Sequence, residues 1–134
     1  MVLKKSVKLL GFFVPIILVL VIHYVFLFFG FYSRFSWLDI PVHFLGGFSF
    51  GIAYFFVLLE LEKNSKYLKL NKVSRFVFVV ALVSLTAVFW EFYEFLLEYY
   101  TGLNFQGTIN DTMLDLLMGI LGGVSISILL ETAN

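Results

Sequence analysis

The sequence predicts an all-α membrane protein, with four transmembrane helices in an antiparallel bundle of two pseudo-repeated hairpins. Three observations predict it. Of 134 residues, 61% are hydrophobic and only 13% charged, whereas a soluble domain is about half apolar and a quarter charged. The apolar residues gather in four runs, each close to the roughly 20 residues that cross a bilayer. The charges divide by sign between the two ends of those runs.

So short a chain leaves much of its surface facing outward, and with this composition that surface must meet lipid. There is no cysteine, which excludes disulfides, zinc-thiolate centres and thiol catalysis. A formal net charge of zero and a pI near 6.7 offer nothing to nucleic acid.

The first run covers residues 9–29 and carries no formal charge. Residues 1–8 ahead of it have the basic start of a signal peptide. The apolar stretch outruns the 7–15 residues usual in such a leader, and no small-residue cleavage site follows. An uncleaved first helix is therefore expected. The second run, residues 41–59, is broken only by His43; the third, 76–97, holds Glu91 and Glu94; the fourth, 112–130, holds Asp115. Four spans leave a single transmembrane domain over residues 1–134 and no soluble module.

Lys4, Lys5 and Lys8 precede the first run, and Lys63, Lys66, Lys69, Lys72 and Arg75 fill the connection between the second and third. Only Arg34 falls at the other end. Lysine and arginine stay on the cytoplasmic side, so both termini and the middle connection are expected in the cytoplasm, in a multi-pass protein of the plasma (inner) membrane. Glu60, Glu62 and Glu131 share that side, while Asp39, Glu91, Glu94, Glu98, Asp111 and Asp115 lie towards the outside. Glu98 reads as a solvated rim residue. Glu91 does not, because it lies about 22 Å along its run at 1.5 Å per residue, a depth at which a charge faces the bundle interior. In the connection at 30–40, Tyr32, Phe35 and Trp37 suit an interfacial aromatic belt. The connection at 99–110 is rich in turn residues.

The second run opens at Asp39, with His43, Gly47 and Gly51 following at four-residue steps. The fourth opens at Asp111, with Asp115, Gly119 and Gly123 at the same steps. Residues four apart share a helix face, so each helix presents two polar groups above two glycines. Small residues at this spacing let membrane helices approach closely. If the two stripes face each other, Gly47 and Gly51 meet Gly119 and Gly123, and the polar groups converge above them. Pro41 falls in a first turn, where it is tolerated. A plainer reading makes Asn110 or Asp111 a helix cap, with Thr112 and Asp115 as a capping pair. Glu91 and Glu94 share a face of the third run, and His23 sits near the outer end of the first with no partner in its own run.

Carboxylates packed in a low dielectric need protons or cations. One account is a divalent metal ion held by Asp39, His43, Glu91, Glu94, Asp111 and Asp115, since Asp, Glu and His are its usual ligands and helix bundles build such centres in their cores. A second is a proton-sharing network that draws in Tyr93 and Ser49. A third is a set of unconnected surface acids. Glu91, Glu94 and Arg34 are the candidate catalytic residues, the acids as general base and Arg34 as anchor for a substrate phosphate; an interfacial anchor is the plainer role for Arg34.

The segments Asp39-x-Pro-x-His43-Phe-x-Gly-Gly, Trp90-Glu91-x-x-Glu94 and Asn110-Asp111-Thr-x-x-Asp115 resemble uncharacterised bacterial and archaeal inner-membrane proteins of the YjdF type. More distantly they resemble VanZ-like proteins, which are associated with resistance to glycopeptide antibiotics. The resemblance covers about residues 35–125 in unchanged motif order. VanZ-like proteins carry an Asn in the last helix where this chain has Gly119.

The expected function is a metal-dependent hydrolase or transferase site in the outer leaflet, acting on a membrane lipid or lipid-linked substrate. Two alternatives stand beside it: a cation or proton pathway through Glu91, and a non-catalytic membrane scaffold. The two hairpins pack within one chain or swap between two, which makes a homo-oligomer the alternative assembly.

Overall fold

The computed structural model describes residues 11–134. Lys4, Lys5 and Lys8, and the start of the first expected span, lie outside the described residues. Among those described, the chain is helical with no strand: α1 (Val14–Phe28), a short α2 (Phe31–Arg34), α3 (Asp39–Asn64), α4 (Lys72–Thr101) and α5 (Ile109–Ala133). The stretches Ser36–Asn64, Lys72–Thr101 and Ile109–Ala133 are long and apolar enough to cross a membrane by length and composition, while α1 is apolar but shorter.

The three long helices overrun their apolar stretches. At 1.5 Å per residue α4 measures about 45 Å, against a hydrocarbon core of roughly 30 Å. The local signals that end the helices lie beyond the apolar residues. Asn71 caps α4 by accepting from the Ser74 N–H at 2.8 Å, and Gly102 closes it in the left-handed conformation, φ 69°. The cap of α5 is Thr108, whose hydroxyl accepts from the Asp111 N–H at 3.3 Å. This replaces the expected caps Asn110 and Asp111. The connection at 30–40 is not plain loop either: it folds into α2 and a 3₁₀ turn at Ser36–Leu38. Pro41 does fall in the first turn of α3.

Glu62 at the end of α3, Arg75 at the start of α4 and Glu131 at the end of α5 meet in one ion cluster. Arg75 donates through Nε to Glu131 Oε1 at 2.7 Å and through Nη1 to Glu62 Oε2 at 2.7 Å. So α3 and α5 run parallel, and α4 runs against both. Arg75 is buried and lies in the first turn of α4 rather than in the connection before it, where it is the tie between three helix ends. Next to this cluster lies a core of Phe55, Leu58, Val79 and Val83, with Phe50, Tyr54 and Leu130 packed on it.

The glycine stripes of α3 and α5 do face each other. A Cβ on Gly47 would sit 2.6 Å from the Gly119 carbonyl carbon, and one on Gly51 would come 3.5 Å from Gly123 Cα while running into Ile126. Gly122 joins them, since a Cβ there would lie 2.8 Å from the Phe48 nitrogen. Helix α1 is the outlier. It packs mainly on α3, with Phe12 stacked on Phe56 at 4.3 Å. At its other end it reaches α4 through His23 against Trp90 and a Tyr24–Tyr93 hydroxyl contact of 2.9 Å. Exposed Ile17, Leu18 and Val21 on α1, and Val77, Leu85 and Phe89 on α4, form the apolar exterior that the composition requires.

Candidate functional site

Parallel packing of α3 and α5 brings their first turns together, and antiparallel α4 adds its last turns. His43 stands where the three meet. Its Nε2 lies 3.4 Å from Asp39 Oδ1, one turn earlier on the same helix, and 3.9 Å from Asp115 Oδ1 on α5. Its Nδ1 lies 4.0 Å from Glu91 Oε1 on α4. One imidazole thus has a carboxylate on each side.

Two groupings result: Asp39, His43 and Asp115, and His43, Glu91 and Glu94. In each, one donor atom per residue lies within 4.8 Å of the others. Two ligands on opposite sides of an ion at 2.0–2.2 Å stand at most about 4.4 Å apart, so small rotamer adjustments would close either grouping on a cation. The acids are buried, with Glu91 at 5%, Glu94 at 6% and Asp115 at 2% of full exposure. Several donor atoms of the cluster make no hydrogen bond. His43 Nε2, both Glu91 carboxylate oxygens and Asp115 Oδ1 are buried without a hydrogen bond, whereas buried polar atoms are ordinarily paired. Glu94 is the exception, accepting from the Trp90 indole N–H at 3.0 Å.

Of the expected site residues, Asp39, His43, Glu91, Glu94 and Asp115 come together. Asp111 does not join either grouping. It is exposed, and its carboxylate folds back over Gly107, occupying the space a Cβ there would need. The reason is local: Thr108 and Asp111 form the Ser/Thr-x-x-acid pattern of a helix start, which keeps Asp111 at the first turn. Arg34 is exposed at the end of α2, and no carboxylate lies within ion-pair distance of it among the described residues. Ser49 and Tyr93, the expected partners of a proton-sharing network, make no hydrogen bond to these acids; Tyr93 meets Tyr24 instead.

His23, expected to be an isolated helix histidine, is buried against the site. Its Nδ1 lies 3.0 Å from the Tyr32 hydroxyl, and its ring meets Trp90 edge-on at 5.1 Å. Burial, with Asp39, Glu94 and Asp115 adding to it, pushes the Tyr32 phenol well above its ordinary range, so it stays neutral. The partner was hidden because α2, which carries Tyr32, read as loop. Glu98, expected as a solvated rim residue, is half-buried and has a local role. Its Oε2 accepts from the Phe105 and Gln106 N–H groups at 3.1 and 3.0 Å, pinning the connection that leads into α5.

Fold and site together define a helical membrane protein with a buried histidine–carboxylate cluster at the meeting of three helix ends. The chain belongs to the predicted membrane protein family DUF2238, whose model matches residues 2–134. No curated protein and no solved structure matches it.

Proposed function

We propose that the cluster is a divalent-metal centre in the outer leaflet that acts on a membrane lipid or lipid-linked substrate. One observation carries this: donor atoms of His43, Glu91 and Asp115 converge, buried and without a hydrogen bond, where an uncompensated charge is costly. Asp39, His43 and Asp115 hold the ion from the Nε2 side. Glu91 faces the other nitrogen with Glu94 grouped beside it, and the two orient the ring and supply the general base. Arg34, exposed ahead of α3, is placed to meet a substrate phosphate. A divalent ion held there would lower the pKa of bound water or polarise a phosphoryl or acyl oxygen.

This reading takes α1 as a fourth span of a four-helix bundle in the plasma membrane. The lysines at 63–72 and both termini then lie in the cytoplasm, and the whole chain is one domain. The relation to YjdF-type and VanZ-like proteins belongs to the same proposal and rests on the order of the three motifs. A proton or cation pathway is less favoured. The apolar core of Phe55, Leu58, Val79 and Val83 stands between the His43 cluster and the Arg75 cluster, and the polar groups beside it, Ser127 and the mutually bonded Tyr54 and Thr86, include no carboxylate or histidine.

The test is elemental mass spectrometry on detergent-purified protein, beside His43→Ala and Asp115→Asn. Stoichiometric zinc, manganese, magnesium or calcium in the parent, lost in both variants, is the expected result. A parent that holds no metal after each has been added overturns the proposal.

A further inference from the structure

A cavity lies between α1 and the α3–α4–α5 core, directly beneath His43. It measures about 70 Å³, several times the 10–15 Å³ that one water needs on the same scale. Its lining follows one face of each helix. Ile16, Leu20 and His23 come from α1, and Val83, Ala87 and Trp90 from α4. On α3 the lining runs from Val42 and His43 through Gly46 and Gly47 to Phe50. The eight steps from Val42 to Phe50 along α3, at 1.5 Å each, make it about 12 Å long, with its axis along the helices.

Polarity changes along that axis. His23, His43 and Trp90 mark the end that joins the carboxylate cluster, and Ile16, Phe50 and Val83 mark the other. The wall has a deliberate gap at Gly46. A Cβ there would meet nothing within 4 Å, in contrast to its neighbour Gly47, so helix packing does not explain this glycine. A narrow, apolar slot, closed by α1 and ending at buried polar donors, suits neither water nor a compact hydrophilic molecule. It suits a hydrocarbon chain entering from the bilayer.

We propose that this slot takes a single acyl chain of a membrane lipid and places the polar end of that lipid against His43. The inference deepens the functional reading above and rests on it for the chemistry at the head, but not for the slot itself. The occupant is an acyl chain because the lining beyond His23, His43 and Trp90 is apolar apart from Thr86, whose hydroxyl is already bonded to Tyr54 and to the Leu82 carbonyl, and because Gly46 is only partly covered. The polar end of the lipid then lies between two imidazoles, with His23 held by Tyr32 on one wall and His43 on the other.

The experiment uses the full chain in vesicles of phosphatidylethanolamine and phosphatidylglycerol doped with phosphatidylglycerol that carries a mid-chain diazirine. After photolysis, cross-linked peptides are mapped by mass spectrometry. Labels on Ile16, Leu20, Phe50 and Val83 are expected. Gly46→Leu, which fills the slot where there is room, and Leu20→Trp, which fills it from α1, should each reduce those labels about tenfold or more. Labels on lipid-facing Ile17, Leu18 and Val21 should persist in both. Labels confined to Ile17, Leu18 and Val21 in the parent protein overturn the proposal, as do slot labels unchanged in both variants. Metal content is read on the same samples. Slot labelling without metal would leave the lipid site standing and remove the metal centre, and metal without slot labelling would do the reverse.

Discussion

Gly47 and Gly119 lie in backbone contact, close enough that a methyl group on Gly47 would sit 2.6 Å from the Gly119 carbonyl carbon. This contact sets how near α3 and α5 approach, and thereby how near His43 comes to Asp115.

Gly47→Ala should therefore force the two helices apart. Overpacking of this kind costs about 1–3 kcal/mol, read as a lower thermal midpoint in detergent. Gly46→Ala one residue away, with open space at its Cβ, should be neutral or stabilising by up to about 1 kcal/mol, the helix-propensity gain. Equal losses in both variants would contradict the packing account.

The two sides of His43 should differ in their response to metal. Glu94→Gln, whose carboxylate is tied to Trp90, should keep stoichiometric manganese at saturation while weakening affinity about 10–100-fold, as loss of an orienting group does. Asp115→Asn should lose the ion altogether. Manganese titration followed by electron paramagnetic resonance distinguishes them; full loss in Glu94→Gln would make that acid a direct ligand.

Removing the arginine from the opposite end should be more damaging than removing any lysine. Arg75→Met leaves Glu62 and Glu131 without the guanidinium between their carboxylates, with only Lys69 and Lys72, which bond the backbone carbonyls of these two residues, to offset them. Breaking a buried pair costs about 3–5 kcal/mol, and here roughly half that is expected, because these helix ends reach the interface where water screens. Lys63→Met, whose 3.8 Å contact to Glu60 is exposed, should change the midpoint little. Chemical denaturation in mixed micelles would measure both.

Glu98→Gln should loosen the connection before α5 without unfolding the core. The carboxylate holds two backbone N–H groups, and hydrogen bonds to a charged group contribute about 1.5–3 kcal/mol each. Faster amide exchange over residues 102–108, with exchange in α4 unchanged before residue 95, is the expected pattern.

Much of this arrangement was legible from spacing. Asp39, His43, Glu91, Glu94 and Asp115 lie in or just ahead of apolar runs, their four- and three-residue steps determine the face they occupy, and the glycine stripes determine which faces meet. Asp111 shares that spacing but serves the start of its helix, and a capping pattern and a ligand stripe look alike when they overlap. The tie made by Arg75 was not legible, because counting basic residues assigns a side of the membrane and says nothing about burial or partners. Tyr32 beside His23 depended on a short helix with no periodic signal of its own. Helix ends were missed by several residues because hydropathy marks where lipid ends, while caps mark where hydrogen bonding ends.

The Arg75 cluster has a consequence at the far side of the molecule. Helix α4 is bolted to α3 and α5 at one end, and from there to Glu91 it runs 16 residues, about 24 Å, as a rod with a fixed rise. A slip of one residue at the bolt would carry Glu91 about 1.5 Å past His43, enough to exchange one donor geometry for another. The lysine-rich end therefore acts as the datum from which the distances around the imidazole are gauged. Substitutions there would mistune the centre before they unfolded the chain.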